Sequence, residues 1–197
     1  MEAITKLATL GTATMLFAAT WLTVNAQDTY RSAATQATIK GTSTLHDWDM
    51  TSSKGQTTAS FIVEGNQVKK INTLTFIVPA ESLKSDKSGL DKNAYKALET
   101  DKHQNITFTM TSGTIAATGS NTFQVRATGN LTIAGTTKQT TIAATGQFNP
   151  SDKSIAVNGS TKFNMTGYDV KPPTVMMGTI KTGDEITVTY SGKLMAQ

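Results

Sequence analysis

Residues 123–133 read Phe-Gln-Val-Arg-Ala-Thr-Gly-Asn-Leu-Thr-Ile, and this stretch decides the fold class. Apolar or small residues occupy every odd position from Phe123 to Ile133, and polar residues occupy every even position. Successive side chains of a β-strand point to opposite faces of the sheet, so the alternation predicts a strand with one dry face and one wet face. Such half-buried strands are typical of antiparallel sheets.

The same period of two recurs on both sides of this stretch. Apolar residues alternate with polar ones within residues 59–63, 74–78, 106–110, 142–148, 155–165 and 186–194, and an early strand is predicted around residues 36–45. Turn sequences such as Glu64-Gly65-Asn66 separate these runs. We therefore predict an all-β chain of about eight antiparallel strands. Such a sheet packs as a sandwich or closes into a barrel with room for side chains or one small ligand.

Five glycines fall in the inward phase of these strands: Gly41, Gly129, Gly146, Gly159 and Gly192. Glycine within a strand marks a bend or a close approach. These positions predict places where the sheet bends sharply or leaves space inside. A sandwich tolerates them too, so on their own they favour a barrel only slightly.

Residues 88–100 depart from the period of two. Leu90, Ala94 and Leu98 fall at helical spacing with Tyr95 beside them, and Ser88 and Asp91 stand three apart as in a capping box. We predict one short helix that lies against the barrel or over one end. Its positive outer face is either a solvated surface or a platform for an anionic head group near the barrel mouth. The lysines concerned are at positions 84, 87, 92, 96 and 102.

The N-terminal segment has the three parts of a secretory signal peptide. Lys6 precedes an uncharged stretch over residues 7–24, and Val24 and Ala26 are small residues at the −3 and −1 positions of a cleavage site. We predict cleavage after Ala26, which leaves residues 27–197 as one periplasmic or secreted domain. A transmembrane anchor is the alternative, but the threonines lower the hydrophobicity of the segment. The chain has no cysteine, and a domain of about 170 residues buries enough apolar surface without disulfides.

The residues offer little for catalysis or nucleic-acid binding. Only two of the 18 basic residues are arginines and the lysines are scattered, whereas nucleic-acid binding requires clustered basic residues. The chain contains no Gly-x-Ser-x-Gly elbow. His46, Asp47 and Asp49 are the strongest candidates for a metal or hydrolytic site, without the repeated His or Cys ligands of a recognisable one. We predict a protein that is not an enzyme and needs no cofactor or metal.

Residues 167–183 are predicted as a long irregular connection with a high apolar content. They include Tyr168, Val175, Met176 and Met177. Long loops are often functional, and adjacent methionines suit an adaptable apolar contact. The segment is predicted either to plug the core of the barrel or to form a lid or wall for an apolar ligand.

Four stretches resemble the YceI-like family of periplasmic lipid-binding proteins, in particular its Bacteroidetes-type members. They are Gly41–Trp48 (GTSTLHDW), the predicted helix with the strand at residues 105–108, residues 129–138 (GNLTIAGTTK), and Lys171–Pro173 with residues 177–179 and 183–184. Gln104 stands where a proline usually precedes the strand, and Ala134 where many members carry a basic residue. The resemblance implies a lipocalin-like eight-stranded barrel whose interior takes a long isoprenoid or other amphipathic lipid.

On this reading the protein is a periplasmic carrier that binds a polyisoprenoid-like or other amphipathic lipid inside the barrel. The predicted ligand-binding residues are His46, Trp48, Phe61, Phe76, Tyr95, Phe108, Met110, Phe123, Phe163, Met165, Tyr168, Val175, Met176 and Met177. Two alternatives stay open. One is a structural or stress-related barrel with a filled core that acts through partners, and the other is a metal or hydrolytic site around His46. We expect no nucleic-acid partner, and the oligomeric state, including a homodimer, stays open.

Overall fold

The structure of the protein is a computed structural model that describes residues 28–197, and the predicted signal peptide lies outside these residues. The described residues form nine strands and one α-helix. The strands are β1 (Asp28–Ser43), β2 (Trp48–Glu64), β3 (Gln67–Pro79), β4 (Asn105–Ala117), β5 (Thr122–Ile133), β6 (Thr136–Asn149), β7 (Ser154–Asn164), β8 (Thr174–Val175) and β9 (Ile180–Ala196). The helix α1 covers Ser88–Leu98, and single 3₁₀ turns cover Ala80–Ser82 and Met165–Tyr168. No helix within residues 28–197 is long and apolar enough to cross a bilayer.

The sheet is antiparallel throughout and closes on itself. Consecutive strands pair from β1 to β7, and β9 then pairs with β7 on one side and with β1 on the other. Tyr190 of β9 shows the closure, because it lies opposite Gly159 of β7 and opposite Ala37 of β1. The predicted eight-stranded barrel with one short helix is confirmed. The two-residue strand β8, which pairs only with the start of β9, adds to it.

Threonine pairs support the outer face of this sheet. Thr128 and Thr141 lie directly opposite each other on β5 and β6, with their hydroxyl oxygens 2.8 Å apart. Thr38 and Thr51 form the same kind of pair between β1 and β2, at 3.0 Å. Cross-strand pairs of this type stabilise a sheet by about 0.2–1 kcal/mol each. The many threonines at alternate positions are therefore explained by the outer surface of the barrel.

Two of the strand pairings are incomplete. β3 pairs with β4 only from Thr75 to Pro79, and β6 pairs with β7 only from Ala144 to Asn149. Residues 136–143 of β6 therefore have no ladder partner on β7. At each of these places the two neighbouring strands diverge.

The two ends of the barrel are built differently. At one end, which we call the base, short turns join β2 to β3, β4 to β5 and β6 to β7. The base is filled by a cluster of buried side chains: Tyr30, Ala59, Phe61, Val68, Ile71, Phe123, Val125, Phe148, Ile155 and Leu194. Phe61 packs edge-on against Tyr30 and Phe123, with ring centroids 5.5 and 6.3 Å apart. The opposite end carries the long connections, including α1.

Aromatic rings cover three of the inward glycines: Gly41, Gly146 and Gly159. Phe123 lies opposite Gly146, and Trp48 lies opposite Gly41. A Cβ atom at either glycine would overlap the facing ring. The space predicted beside these glycines is therefore taken up by the ring on the next strand, as is common where an aromatic residue faces a strand glycine.

The predicted capping box at the start of α1 is wrong. Lys87 occupies the N-cap position, and no side chain caps the helix there. The carboxylate of Asp91 instead accepts hydrogen bonds from the hydroxyl and the backbone N–H of Ser85, at 2.7 and 2.8 Å. These two bonds, with a smaller contribution from Lys84, lower the pKa of Asp91. Asp91 thus ties the helix to the segment that precedes it.

Replacing Gly146 tests how tightly the base is packed. In Gly146→Ala the new methyl group meets the Phe123 ring, which is buried and has no room to move, so we expect a loss of about 1–3 kcal/mol in the free energy of unfolding. Gly167→Ala is the control, since nothing lies within 4 Å of a Cβ there. Urea denaturation measures both. Equal stabilities of the two variants would contradict this account of the base.

Acid unfolding tests the turn between β6 and β7. The Lys193 ammonium, 2.8 Å from the carboxylate of Asp152, and the hydroxyl and N–H of Ser154 lower the pKa of Asp152 to about 2. Its stabilising effect is therefore present above the ordinary value of 3.8 and is lost as the pH falls through about 2. We expect Asp152→Asn to flatten the dependence of stability on pH between these values, as measured by denaturation at a series of acidic pH values. An unchanged slope would contradict this.

Candidate ligand cavity

The barrel encloses a cavity of about 490 Å³ between the base and the open end. This volume falls within the range of about 300–1,000 Å³ that is usual for small-molecule sites. All nine strands and one face of α1 contribute to the wall, and most of the side chains are aliphatic or aromatic. Phe61, Ile71, Val125 and Leu194 of the base cluster form its floor. The interior is thus filled at the base and open above it.

The open end has a mouth that we define by four exposed side chains that line the cavity: Leu45, His46, Lys87 and Asn93. The first two come from the connection between β1 and β2, and the other two lie at the start and in the middle of α1. The two sides meet where the Lys87 ammonium lies 3.2 Å from His46 Nε2. The mouth therefore lies between the helix and the β1–β2 connection.

The helix presents one face to the cavity and keeps the other for anchoring. Leu90, Ala94 and Leu98 line the cavity, at the helical spacing that the sequence shows. Tyr95 does not, because its side chain lies on another face, with the hydroxyl 2.9 Å from the Glu81 carbonyl and 2.7 Å from the Leu83 carbonyl. The predicted helix over one end of the barrel thus forms part of the cavity wall.

Nine of the fourteen predicted ligand-binding residues line the cavity. They are His46, Trp48, Phe61, Phe76, Phe108, Phe163, Met165, Tyr168 and Val175. They come from five strands, from the 3₁₀ turn at Met165–Tyr168 and from the β1–β2 connection. The Phe163 and Tyr168 rings pack against each other at 5.2 Å, so two residues that are adjacent in the wall also support one another.

Besides Tyr95, two more predicted residues lie away from the cavity for reasons of packing. Phe123 is buried in the base, where its ring lies over Gly146. Met110 packs against both buried core clusters, with its sulfur over Gly113, and the register of the β4–β5 pairing shifts directly after it. Alternation along a strand does not reveal either effect.

Met176 and Met177 lie outside the cavity because their segment is a hairpin. β8 and β9 pair through Val175 and Ile180, which line the cavity. The two methionines occupy the turn with left-handed backbone angles of 51° and 55°, and their exposed fractions are 72% and 107%. The segment predicted as irregular therefore carries a hairpin whose base contributes to the wall and whose tip faces solvent.

The prediction left out most of the aliphatic side chains of the wall. They include Ile39, Met50, Leu74, Leu131, Ile133, Ile186, Val188 and Leu194. Leu131, Ile133, Ile186 and Val188 have the inward phase that the alternation had already identified. Counting the inward aliphatic residues as ligand contacts, in addition to the aromatic ones, would have identified them from the sequence.

Tyr190 closes the wall where β6 and β7 diverge. Its ring lies over Gly159, and its hydroxyl donates a hydrogen bond of 2.7 Å to the Ala143 carbonyl, beside the last paired residue of β6. Burial raises the pKa of Tyr190 to about 12. Further along the same gap, the Tyr168 hydroxyl lies 2.7 Å from the Thr140 hydroxyl. Two tyrosines thus bridge a stretch that lacks backbone pairing.

The hypothesis of a metal centre at His46 finds no cluster of ligands among residues 28–197. Across residues 28–197, no three His, Cys, Asp or Glu side chains come together as metal ligands would. His46 Nδ1 lies 2.7 Å from the Asp47 carbonyl oxygen, and Nε2 faces Lys87. Both ring nitrogens are therefore engaged with the protein. The second histidine, His103, lies with its ring against Gly135 in the β5–β6 turn.

The architecture defines the class of protein: a lipocalin-like closed barrel with an apolar cavity and a mouth at one end. The chain belongs to the YceI-like domain family, whose model matches residues 17–194. The more specific resemblance to Bacteroidetes-type members stays a prediction. None of the curated proteins matches the chain.

Solved structures share this fold at low sequence identity. BcnA of Burkholderia cenocepacia is 14% identical, with a TM-score of 0.62 over 81% of this chain and 95% of its own. A polyisoprenoid binding domain of Saccharophagus degradans, implicated in plant cell wall breakdown, is 10% identical, with a TM-score of 0.60 over 86% and 98%. The YceI protein of Campylobacter jejuni is 16% identical, with a TM-score of 0.51 over 65% and 74%.

Removing the Tyr190 hydroxyl tests the bridge between the diverging strands. Tyr190→Phe keeps the ring over Gly159 but leaves the Ala143 carbonyl without this donor, so we expect a loss of about 1 kcal/mol in the free energy of unfolding. We also expect the amide hydrogens of β6 near Ala143 to exchange faster in the variant than in the wild type, while exchange in β2 does not change. Unchanged stability together with unchanged exchange would contradict the bridging role.

Proposed function

We propose that the protein is a periplasmic carrier that holds one polyisoprenoid-like or other amphipathic lipid in its barrel and catalyses no reaction on it. The observation that carries this proposal is the apolar cavity above the filled base. The fold of a polyisoprenoid binding domain in Saccharophagus degradans supports it. The predicted signal peptide supports the location.

The energetics of such a cavity favour a long apolar chain. Each methylene group that moves from water into the cavity contributes about 0.8 kcal/mol, so ten of them contribute about 8 kcal/mol. Association costs several kcal/mol in lost motion, so a short chain gains little and a long one binds. A wall made of aliphatic and aromatic side chains therefore selects for length and apolarity without special chemistry.

The nine cavity-lining residues named above are proposed as ligand contacts, together with the aliphatic side chains of the wall. The floor at Phe61 and Ile71 limits how deep a chain reaches. The hairpin base at Val175 and Ile180 covers the chain from the open end. The alternative of a barrel with a filled core accounts for the base, but it leaves the open volume above the base without a role.

Lipid extraction and mass spectrometry of protein purified from its own host test the proposal directly. We expect an isoprenoid or another long-chain amphiphile in a ratio of one molecule per barrel. Repeated recovery of no lipid, together with no binding of added prenyl chains, would overturn the proposal.

A bulky residue in the cavity should compete with the ligand. Val188→Trp on β9 fills part of the cavity, and displacing two methylene groups costs about 1.6 kcal/mol, so we expect affinity for farnesol to fall about tenfold or more. The control is Thr189→Trp, because Thr189 is the next residue, is exposed and does not line the cavity. Fluorescence titration measures both. Equal affinities would contradict an internal site.

A further inference from the structure

The cavity has one charged side chain in its lining, and it is a cation. Lys87 lines the mouth, and no Asp, Glu or Arg among the described residues lines the cavity. Within residues 28–197, the lysines in ion pairs are Lys84, Lys102, Lys162 and Lys193, so the Lys87 ammonium has no carboxylate partner there. Its described polar contact is His46 Nε2, at 3.2 Å.

His46 holds this ammonium over the mouth. The Asp47 carbonyl can only accept a hydrogen bond, so Nδ1 of His46, 2.7 Å away, carries the proton. Nε2 then has a lone pair that accepts one N–H of Lys87. An ammonium has three N–H donors, and the side chain is exposed, so two donors stay available at the mouth.

Deeper in the cavity, four hydroxyl groups are already engaged with the protein. Thr35 and Thr57 bond to each other at 2.7 Å, and the hydroxyls of Tyr168 and Tyr190 bond to β6. A polar head group that moved into this region would lose its hydrogen bonds to water without replacing them, which is unfavourable. The head group of a bound amphiphile is therefore held at the mouth, beside Lys87.

The other lysines near α1 do not share this position. Lys84 is 3.9 Å from the Asp91 carboxylate and lies over the Tyr95 ring, and neither Lys92 nor Lys96 lines the cavity. Lys102 is paired with Glu99. The positive face of the helix is thus a solvated surface except at Lys87.

We infer that the ligand of this barrel carries an anionic head group, a phosphate or a carboxylate, which binds the Lys87 ammonium at the mouth. His46 is a positioning residue for that ammonium. The inference rests on the proposed function, since it names the chemical class of the same ligand. The apolar chain fills the cavity while the charge stays in contact with water, an arrangement that leaves no buried charge unpaired.

The test compares two probes that differ only in the head group, farnesyl monophosphate and farnesol. A hydrogen-bonded contact between an ammonium and a phosphate predicts that wild-type protein binds farnesyl monophosphate about fivefold to tenfold more tightly. In Lys87→Met the ratio of the two affinities falls to about one, because methionine retains an apolar stem for both probes but has no ammonium for the phosphate. Lys87→Arg keeps the preference. Lys92→Met is the matched control, since Lys92 lies on the same helix away from the cavity, and it also keeps the preference.

The ratio of the two affinities separates positioning from a merely structural role of His46. In His46→Ala we expect the ratio to fall about twofold to threefold, because both probes lose the same contact with the ring and only the phosphate also loses the positioned ammonium. Hexadecanoate and hexadecanol form a second pair of probes. A preference for the anion in the farnesyl pair alone indicates a phosphate head group, and a preference in the hexadecyl pair alone indicates a carboxylate.

Equal affinities of wild type for both members of both pairs would overturn the inference and leave the carrier function standing. A preference that survives in Lys87→Met would overturn it too. So would inorganic phosphate binding alone as tightly as farnesyl monophosphate, because the site would then serve a free anion. Absence of binding by all four amphiphiles would instead overturn the proposed function, and the inference with it.

Discussion

The pairing of β1 with β9 is the constraint on which the rest of the structure depends. Without it, the alternating strands would form an open sheet with one apolar face to cover and two unpaired edges. With it, the inward side chains of the eight long strands point into one shared volume, and each of these eight strands has a partner on both sides. A chain with no cysteine thereby gains a buried core and an internal cavity from the same set of residues.

What fills that volume changes along the barrel axis. At the base, the Phe123 ring lies over Gly146 on the next strand, and Tyr30, Phe61 and Phe148 complete a solid floor. Above the floor the inward side chains do not meet across the barrel, and residues 136–143 of β6 have no ladder partner on β7. The filled base therefore stabilises the fold, so the upper part can stay open for a ligand. Tyr168 and Tyr190 close the wall where backbone pairing is missing.

The strands, their inward phase and the helix could be predicted from the sequence because each depends on neighbours a few residues apart. Leu131 and Phe163 were assignable to the inner face from alternation alone. The position of Phe123 in the base depends on its pairing with Gly146, which is 23 residues away in sequence (146 minus 123), and on the closure of the barrel. Likewise, the spacing of Leu90, Ala94 and Leu98 identified the helical face, but only the bond of Tyr95 to Glu81 and Leu83 shows that this tyrosine faces away from the cavity. The turn of the hairpin at Met176 and Met177 has left-handed backbone angles. Residues other than glycine rarely adopt these angles, so the residue types gave no sign of a turn there.

The central claim is that the cavity binds an apolar chain by burying it. Calorimetric titration of the wild-type protein with geraniol, farnesol and geranylgeraniol tests this most directly, because these alcohols differ only in the number of isoprene units. The account predicts that affinity rises more than tenfold for each added unit until the cavity of about 490 Å³ is full, with a negative heat-capacity change on binding. An affinity that does not depend on chain length, or a heat-capacity change near zero, would contradict it.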